Sequence, residues 1–488
     1  MSEITKENVD AERARRLAAL ADLIERFNAQ YAVVNEAGKV WVFESVDDPM
    51  LERKVLVRIS FADFKKMYQN TSLTVLKVKK GKTGSEEVTE VSQSQAEWWL
   101  NHRERRQFLK GVVFDPTERF GPPHYWNLWQ GWPIPPAPGD WSLMRQHIMG
   151  VVCTGNQQHY DYVICWMATM VQRPNVQGKV ALILKGLKGS GKGILFHYLR
   201  RMLGQHGLYI SNAAHLVGNF KAHLRDCIFL FADEAFFAGD RKHEGVLKGL
   251  VTDAVINVEP KYVNAHNVPN MLHIGMASNA DWVVPASLDE RRYFVIVVSP
   301  HRIGDRPYFQ ALGQQMDNGG TAAMLHDLLK MDLTGFNVED YPDSTALAEQ
   351  KRHSLDSLHR WWMAVLERGF VYRSRFGAPV LKNWQSSCTT ELLWQSYAQW
   401  CDETRPYDRK SREQLGKFMS EMYEDIRQRP KLPLHELESV DMELVRNGKS
   451  LDEVSVLYGT RSPGYHFDDL DHARYRWAET KSITIGQG

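Results

Sequence analysis

The sequence predicts an α/β core built on a largely parallel sheet, with smaller domains on either side. Two observations carry this. From about Lys179 to Ser299, short β-branched runs alternate with amphipathic helical stretches, the pattern of strand–helix–strand units. Inside that region the apolar run Leu182-Ile183-Leu184 empties into Gly186-Leu187-Lys188-Gly189-Ser190-Gly191-Lys192-Gly193. Glycines let consecutive backbone N–H groups turn onto an anion, and the helix that follows adds its positive end. Lys192 supplies a mobile charge for the β and γ phosphates of a nucleotide.

Composition bounds the rest. A chain of 488 residues is too long for one core, and its charged fraction of 24% is that of an ordinary globular protein. A net charge of +1 excludes a uniformly basic coat but permits a local positive groove. Five scattered cysteines with no C-x-x-C pair exclude a zinc ribbon and a disulfide framework, so a reducing, cytoplasmic compartment is expected. The N-terminus has no secretory apolar region and no run is long enough to span a bilayer, so no membrane partner is expected.

Taken in order, residues 1–95 read as a small α+β domain. A helix from about Ala11 to Asn28 puts Leu17, Leu20, Ala21, Ile24 and Phe27 on one stripe. Strands follow at Tyr31–Val34, Val40–Phe43 and Val55–Ile59, then a helix Phe61–Tyr68 and an extended run Leu73–Val78. Residues 96–175 form a connector and helical collar rich in tryptophan. Trp98, Trp99, Trp126, Trp129, Trp132 and Trp141 could stack bases, but without interleaved Lys or Arg they are read as packing anchors. The nucleotide-binding core covers residues 176–300, and residues 301–370 are helical, with Leu325, Leu328 and Leu329 spaced for packing. Residues 371–488 hold three short helices with strand-like pieces between them. That fits a winged-helix-like domain, whose second helix would run into the basic Arg427-Gln428-Arg429-Pro430-Lys431. A helical appendage without DNA contact is the alternative.

Chemistry gathers at the strand ends. Asp233 and Glu234 follow the apolar run Cys227–Ala232, so they emerge at a strand's carboxyl end beside the glycine loop. There Asp233 would hold Mg²⁺ through water and Glu234 would polarise an attacking water. The hydroxyl that usually follows the loop lysine is replaced by Gly193, so the metal leans on Asp233 and phosphate oxygens. Ser278-Asn279 ends the next apolar strand, where a neutral amide can orient water; an Asx turn is the plainer reading. Asp289-Glu290-Arg291-Arg292 precedes another strand and offers a cation to a neighbouring subunit's nucleotide, or a surface ion pair.

The ordered set Gly186…Lys192, Asp233-Glu234, Lys248…Lys261, Ser278-Asn279 and Arg291-Arg292 resembles superfamily 3 helicases of the AAA+ class. The likeness extends to the wording of LKGLVTDAVINVEPK, ASNADWVVPASLDERRYFVI, GVVFDP and YWNLWQGW, which look like the helicase part of phage and prophage primase-helicases and their poxvirus-type relatives. The resemblance implies an AAA+ P-loop ATPase core and a ring, usually a hexamer, in the cytoplasm of a bacterial host. Such a ring hydrolyses ATP with Mg²⁺ at subunit interfaces and translocates 3′ to 5′ along single-stranded DNA at a fork. It maps Lys192 to the Walker A lysine, Asp233 and Glu234 to Walker B, Asn279 to sensor 1, and Arg291 or Arg292 to the arginine finger. The segment Lys261–Asn267 falls at a pore-lining β-hairpin, with Lys261 and His266 tracking phosphates. Lys179 is a second candidate cation, more plainly a solvated lysine. A primase-polymerase domain does not fit residues 1–95, so primer synthesis by this chain is not expected and a separate primase or polymerase would supply it. The competing reading is a DNA-binding replication initiator or scaffold in which nucleotide only builds the ring.

Overall fold

A long helix, α1 (Lys6–Gln30), leads into an antiparallel hairpin of β1 (Tyr31–Glu36) and β2 (Lys39–Asp48). The computed structural model describes residues 6–49, 53–80, 86–212, 222–234, 241–259, 265–284, 286, 290–371, 384, 387–406, 408–423 and 464–481. The chain divides into two compact units, Met1–Ala280 with Phe294–Pro342, and Asp281–Tyr293 with Asp343–Gly488.

In the first unit the β1–β2 turn has Ala37 and Gly38 at φ 49° and 83°, the paired positive values that a two-residue hairpin loop demands. β3 (Arg53–Ile59) extends this sheet, followed by α2 (Phe61–Met67), capped by Ser60, whose hydroxyl accepts from the Asp63 amide at 3.1 Å. β4 (Ser72–Lys80) and β5 (Glu86–Ser94) form a separate ribbon, and α3 (Gln95–Asn101) closes the aromatic core of Phe27, Tyr31, Phe64 and Trp99. The predicted stripe on α1 is corrected here. Leu23, Ile24 and Phe27 are buried, but Leu17 is 60% exposed and Ala21 is exposed, because only the last turns of the helix reach the sheet's core. Three short strands follow: β6 (Gln107–Phe108), which pairs parallel with β1, and β7 (Gly111–Val113) with β8 (Tyr125–Asn127). Glu36, at the end of β1, is buried between Arg58 and Arg225, with Arg58 Nη2 donating at 3.0 Å. Burial alone would push this carboxyl up; the two guanidiniums outweigh it and hold Glu36 below the usual carboxylate range.

The connector enters α4 (Ser142–His147), continues through a π turn at Ile148–Val152, and reaches α5 (Gln157–Gln172), buried along most of its length. Then come β9 (Ala181–Lys185), α6 (Lys192–Leu203), β10 (Gly207–Ile210), β11 (Phe229–Asp233) and α7 (Arg241–Thr252). The antiparallel pair β12 (Val255–Val258) and β13 (His266–Pro269) precedes β14 (His273–Ser278) and β15 (Tyr293–Val297). The five-stranded sheet runs β10-β11-β14-β9-β15, with β10–β11, β11–β14 and β14–β9 parallel. β14 is buried on both faces, as expected of a parallel strand covered by helices on each side. α8 (Arg306–Gln315) and α9 (Thr321–Lys330) complete the unit; Leu325 and Leu328 sit in the same core as β9 and α6. The fold is α/β, a core on a five-stranded, largely parallel sheet with a small α+β domain before it.

The second unit contains α10 (Thr345–Ser354), α11 (Ser357–Arg368), β16 (Ser387–Thr389), α12 (Thr390–Thr404), α13 (Arg412–Met422), β17 (Gly464–His466) and α14 (Leu470–Lys481). β16 and β17 pair antiparallel into a short two-stranded ribbon beside these helices. Trp361 and Trp362 of α11 share its core with Leu393, Tyr397, Phe418, Met419 and Trp477. The basic stretch Arg427–Lys431 lies outside the described residues. Among the described residues no helix is long and apolar enough to cross a membrane.

Candidate nucleotide site

The glycine loop joins β9 to α6 as its spacing predicts. Gly189 and Gly191 take φ 81° and 89°, and a Cβ on Gly191 would come within 2.7 Å of His147 Cε1 and 2.8 Å of Phe309. Glycine is therefore required at Gly191 by both conformation and space. Leu187, Lys188 and Gly189 form the exposed tip, Gly186 and Gly191 are half-buried at its ends, and Lys192 is 8% exposed. Gly193 differs from Gly191: a Cβ there would meet only Phe231 Cζ, at an ordinary 3.5 Å. The missing hydroxyl is thus not imposed by crowding.

The strand order decides which groups meet. β14 lies between β9 and β11, so Asn279, just past its end, falls between Lys192 and the Asp233-Glu234 pair. Lys192 Nζ donates to Asn279 Oδ1, and Asn279 Nδ2 donates to Glu234 Oε1. Glu234 holds φ 51°, the left-handed region, while its amide still donates to Ala277 O at 2.9 Å. A non-glycine residue in that region costs about 1–3 kcal/mol, and such strain gathers at functional sites. Ser278 is buried and its hydroxyl accepts from the Ala280 amide at 3.1 Å, so the turn chemistry belongs to Ser278 and the Asn279 amide is engaged elsewhere.

Burial and charge act together here. Desolvation pushes Asp233 up, reinforced by the Glu234 charge and opposed by the Tyr209 hydroxyl and Lys192. Desolvation also lowers Lys192 despite the two carboxylates near it. A cation bound beside Asp233 would offset the cost of burying its charge. A second observation fits a triphosphate: the Ser190 hydroxyl is buried in the loop and has no hydrogen-bond partner among the described residues. Loop amides, Ser190 and Lys192 would hold phosphate, and Asp233 would hold Mg²⁺. Among the described residues no cluster of three His, Cys, Asp or Glu side chains forms a metal cage, so such an ion would keep waters and phosphate oxygens as ligands.

Two participants had no local sequence pattern. Tyr209, on β10, donates to Asp233 Oδ2 at 3.3 Å, a contact that depends on β10 lying beside β11. His147, 44 positions before Gly191, sits behind the loop with Nε2 3.2 Å from the Gly191 carbonyl and Nδ1 3.0 Å from the Tyr308 hydroxyl. A carbonyl only accepts, so Nε2 carries a proton, and in the neutral ring that burial favours Nδ1 accepts from Tyr308. Burial lowers His147 to about 4, with the Gly191 carbonyl opposing and His301 adding to the shift. A histidine depressed in the folded state stabilises fully above its unfolded value of 6.5, and that contribution is lost as pH falls from 6.5 toward about 4. His273, buried in β14, is lowered in the same way. Thermal melts between pH 7.5 and 4.5 should show falling Tm, and His147→Phe should flatten part of that slope; an unchanged slope would contradict this placement.

The remaining predicted residues fall as follows. Lys179 pairs with Glu339 at 3.2 Å on the surface. The two arms of the β12–β13 hairpin are present, with His266 half-buried and paired opposite Val258; Lys261 lies outside the described residues. In the second unit, Arg292 Nη1 is 3.0 Å from Oε1 of the buried Glu290, which also accepts the amides of Arg291 and Arg292. Arg291 is exposed, and its guanidinium makes no ion pair among the described residues.

Loop and sheet order together define a P-loop-type α/β fold. Residues 184–292 match the model of a family of unknown function, DUF5906. No curated protein matches the chain. Among solved structures, the chain is similar to the apo NrS-1 C-terminal region (305–718), at 15% identity and TM-score 0.54, covering 80% of this chain and 94% of that one. A second form of that region gives 14% identity and TM-score 0.54, covering 84% and 96%. A JCV helicase structure shares 16% identity over 44% of this chain and 61% of that one, and its TM-score of 0.27 carries no argument.

Proposed function

We propose that the chain is an ATP-hydrolysing DNA helicase of the superfamily 3 type, working in the replication of a phage or integrated element as a ring, a hexamer by its resemblance. The observation that carries this reading is the chain of contacts from Lys192 through Asn279 to Glu234, beside Asp233 at the carboxyl edge of the sheet. It brings an ammonium, a neutral amide and a carboxylate to one place, the groups such a reaction would use. In this reading the loop amides and Lys192 hold the triphosphate, Glu234 polarises the attacking water, and Asn279 orients Glu234. Mg²⁺ held at Asp233 neutralises phosphate charge when bound. Arg291 completes a neighbouring subunit's site, and Lys261 and His266 on the hairpin contact DNA phosphates in the ring. A separate primase or polymerase supplies primers.

The test is ATPase activity with and without single-stranded DNA, together with strand separation on a forked duplex. Both should be present in the wild type and absent in Lys192→Ala. Particles imaged with a non-hydrolysed ATP analogue and single-stranded DNA should be closed rings, and a stable monomer under those conditions would overturn the interface reading. Equal DNA loading by wild type and Glu234→Gln, with no unwinding by either, would point to an initiator or scaffold instead.

A further inference from the structure

A groove of about 1010 Å³ lies in the first unit away from the nucleotide loop, between the β3-β2-β1-β6 sheet, the segment 106–130 and residues 205–226. Its lining is strongly cationic. Lys54, Arg58, Arg106, Lys110, Arg119 and Arg225 face it against the carboxylates of Glu118 and Asp226. Arg58 and Arg225 are committed to Glu36, and Lys54 pairs with Asp47 at 3.0 Å. Arg106, Lys110 and Arg119 have no carboxylate at ion-pairing distance among the described residues, and all three are exposed.

Aromatic rings alternate with these cations. The Arg119 guanidinium lies 6.0 Å from the centroid of Phe120, which packs edge-on against Tyr125 at 5.9 Å. Arg106 lies 4.8 Å over Trp126 and 5.4 Å over Phe108. Trp126 and Phe108 are buried and act as floor, whereas Phe120 is 51% exposed and Tyr125 is half-buried, so their rings remain open to a ligand. The tryptophans of this stretch pack as expected. The rings left for stacking are Phe120 and Tyr125, and the expectation of no interleaved cation is corrected: Arg106, Lys110 and Arg119 lie in sequence between Trp99 and Trp126 and line the same groove.

We propose that this groove binds a segment of single-stranded nucleic acid, with phosphates on Arg106, Lys110 and Arg119 and bases on Phe120 and Tyr125. Cations tracking a backbone, interleaved with rings offering their faces, are what an unpaired strand requires, since a duplex hides its base faces. The volume lies at the upper limit of small-molecule sites, about 300–1,000 Å³, and the lining is charged where such sites are mainly apolar. The proposal is independent of ATP turnover, so its failure and that of the helicase reading are separable.

The experiment uses the full chain without nucleotide and a fluorescein-labelled oligothymidylate, read by anisotropy across a salt series. The double variant Lys110→Glu/Arg119→Glu should weaken binding by at least about tenfold, and its log K against log salt slope should be shallower by about 1.4, the share that two neutralised phosphates contribute on a single strand. Phe120→Ala should weaken it by about tenfold with the slope unchanged, the mark of a missing stack rather than a missing charge. An oligothymidylate bearing 5-iodouracil should crosslink within residues 106–130. Lys110, Arg119 and Phe120 are all exposed, and matching thermal melts verify the folding of the groove variants. Wild-type affinity in both groove variants, crosslinks confined to the hairpin, or equal competition by duplex DNA or polyglutamate would overturn the proposal. Displacement by the oligoribonucleotide equal to that by the oligodeoxynucleotide would support it and extend it to RNA.

Discussion

Arg291→Ala is expected to lower kcat for DNA-stimulated ATP hydrolysis by about 10³–10⁵-fold, the range for an arginine that stabilises transition-state charge across an interface. Arg292→Ala should not. Its guanidinium is held by the buried Glu290 at 3.0 Å, and that carboxylate also gathers both arginine amides, so Arg292 shapes the turn from which Arg291 projects. Removing that ion pair should lower stability by about 1–3 kcal/mol, with turnover per folded ring retained. The decisive check is complementation. Arg291→Ala subunits keep an intact glycine loop and Lys192→Ala subunits keep an intact finger, so random mixing rebuilds a complete site at about a quarter of interfaces. Recovery of activity from two inactive proteins is the expected result, and no recovery would exclude a finger acting in trans.

Glu234→Gln should reduce kcat by about 10²–10⁴-fold, the usual contribution of a positioned general base, while nucleotide and DNA binding persist. The substitution is conservative in the sense that matters: a glutamine oxygen can still accept from Asn279 Nδ2, so the hydrogen bond survives and only the basicity is removed. Equilibrium binding of a fluorescent ATP analogue beside steady-state turnover separates the two effects. Turnover within about threefold of wild type would remove Glu234 from the chemistry, since a general base contributes far more than that.

What could be read from the residues in order was whatever depends on neighbours in sequence. The loop Gly186–Gly193 and the helix behind it follow from glycine spacing and from Leu195, Leu199, Met202 and Leu203, all buried. Asp233, Glu234 and Asn279 were legible because each ends an apolar run. Their mutual contacts were not, because these require β14 to lie between β9 and β11, an order fixed by crossovers far apart in the chain. His147 and Tyr209 escaped for the same reason. The difference between Arg291 and Arg292 rests on how Glu290 is buried, and burial of a single carboxylate has no periodic signature. Leu17 shows the opposite error: its spacing is that of a packed residue, yet α1 outruns the surface that could cover it.

The amide of Asn279 faces opposite charges at its two ends, oxygen toward Lys192 and nitrogen toward Glu234. On the reading proposed above, this makes the site sensitive to the order of events. Before nucleotide arrives, the ammonium and the carboxylate are both occupied by one neutral side chain, so neither can act on water by chance. A terminal phosphate competes for the ammonium and frees the amide oxygen, and only then is the asparagine able to reorient and release Glu234. A diphosphate offers Lys192 a β-phosphate without a γ-phosphate and so competes with less charge. The same three side chains would therefore distinguish spent from fresh nucleotide, and Asn279→Ala should blur that distinction by letting Glu234 move independently of what Lys192 holds.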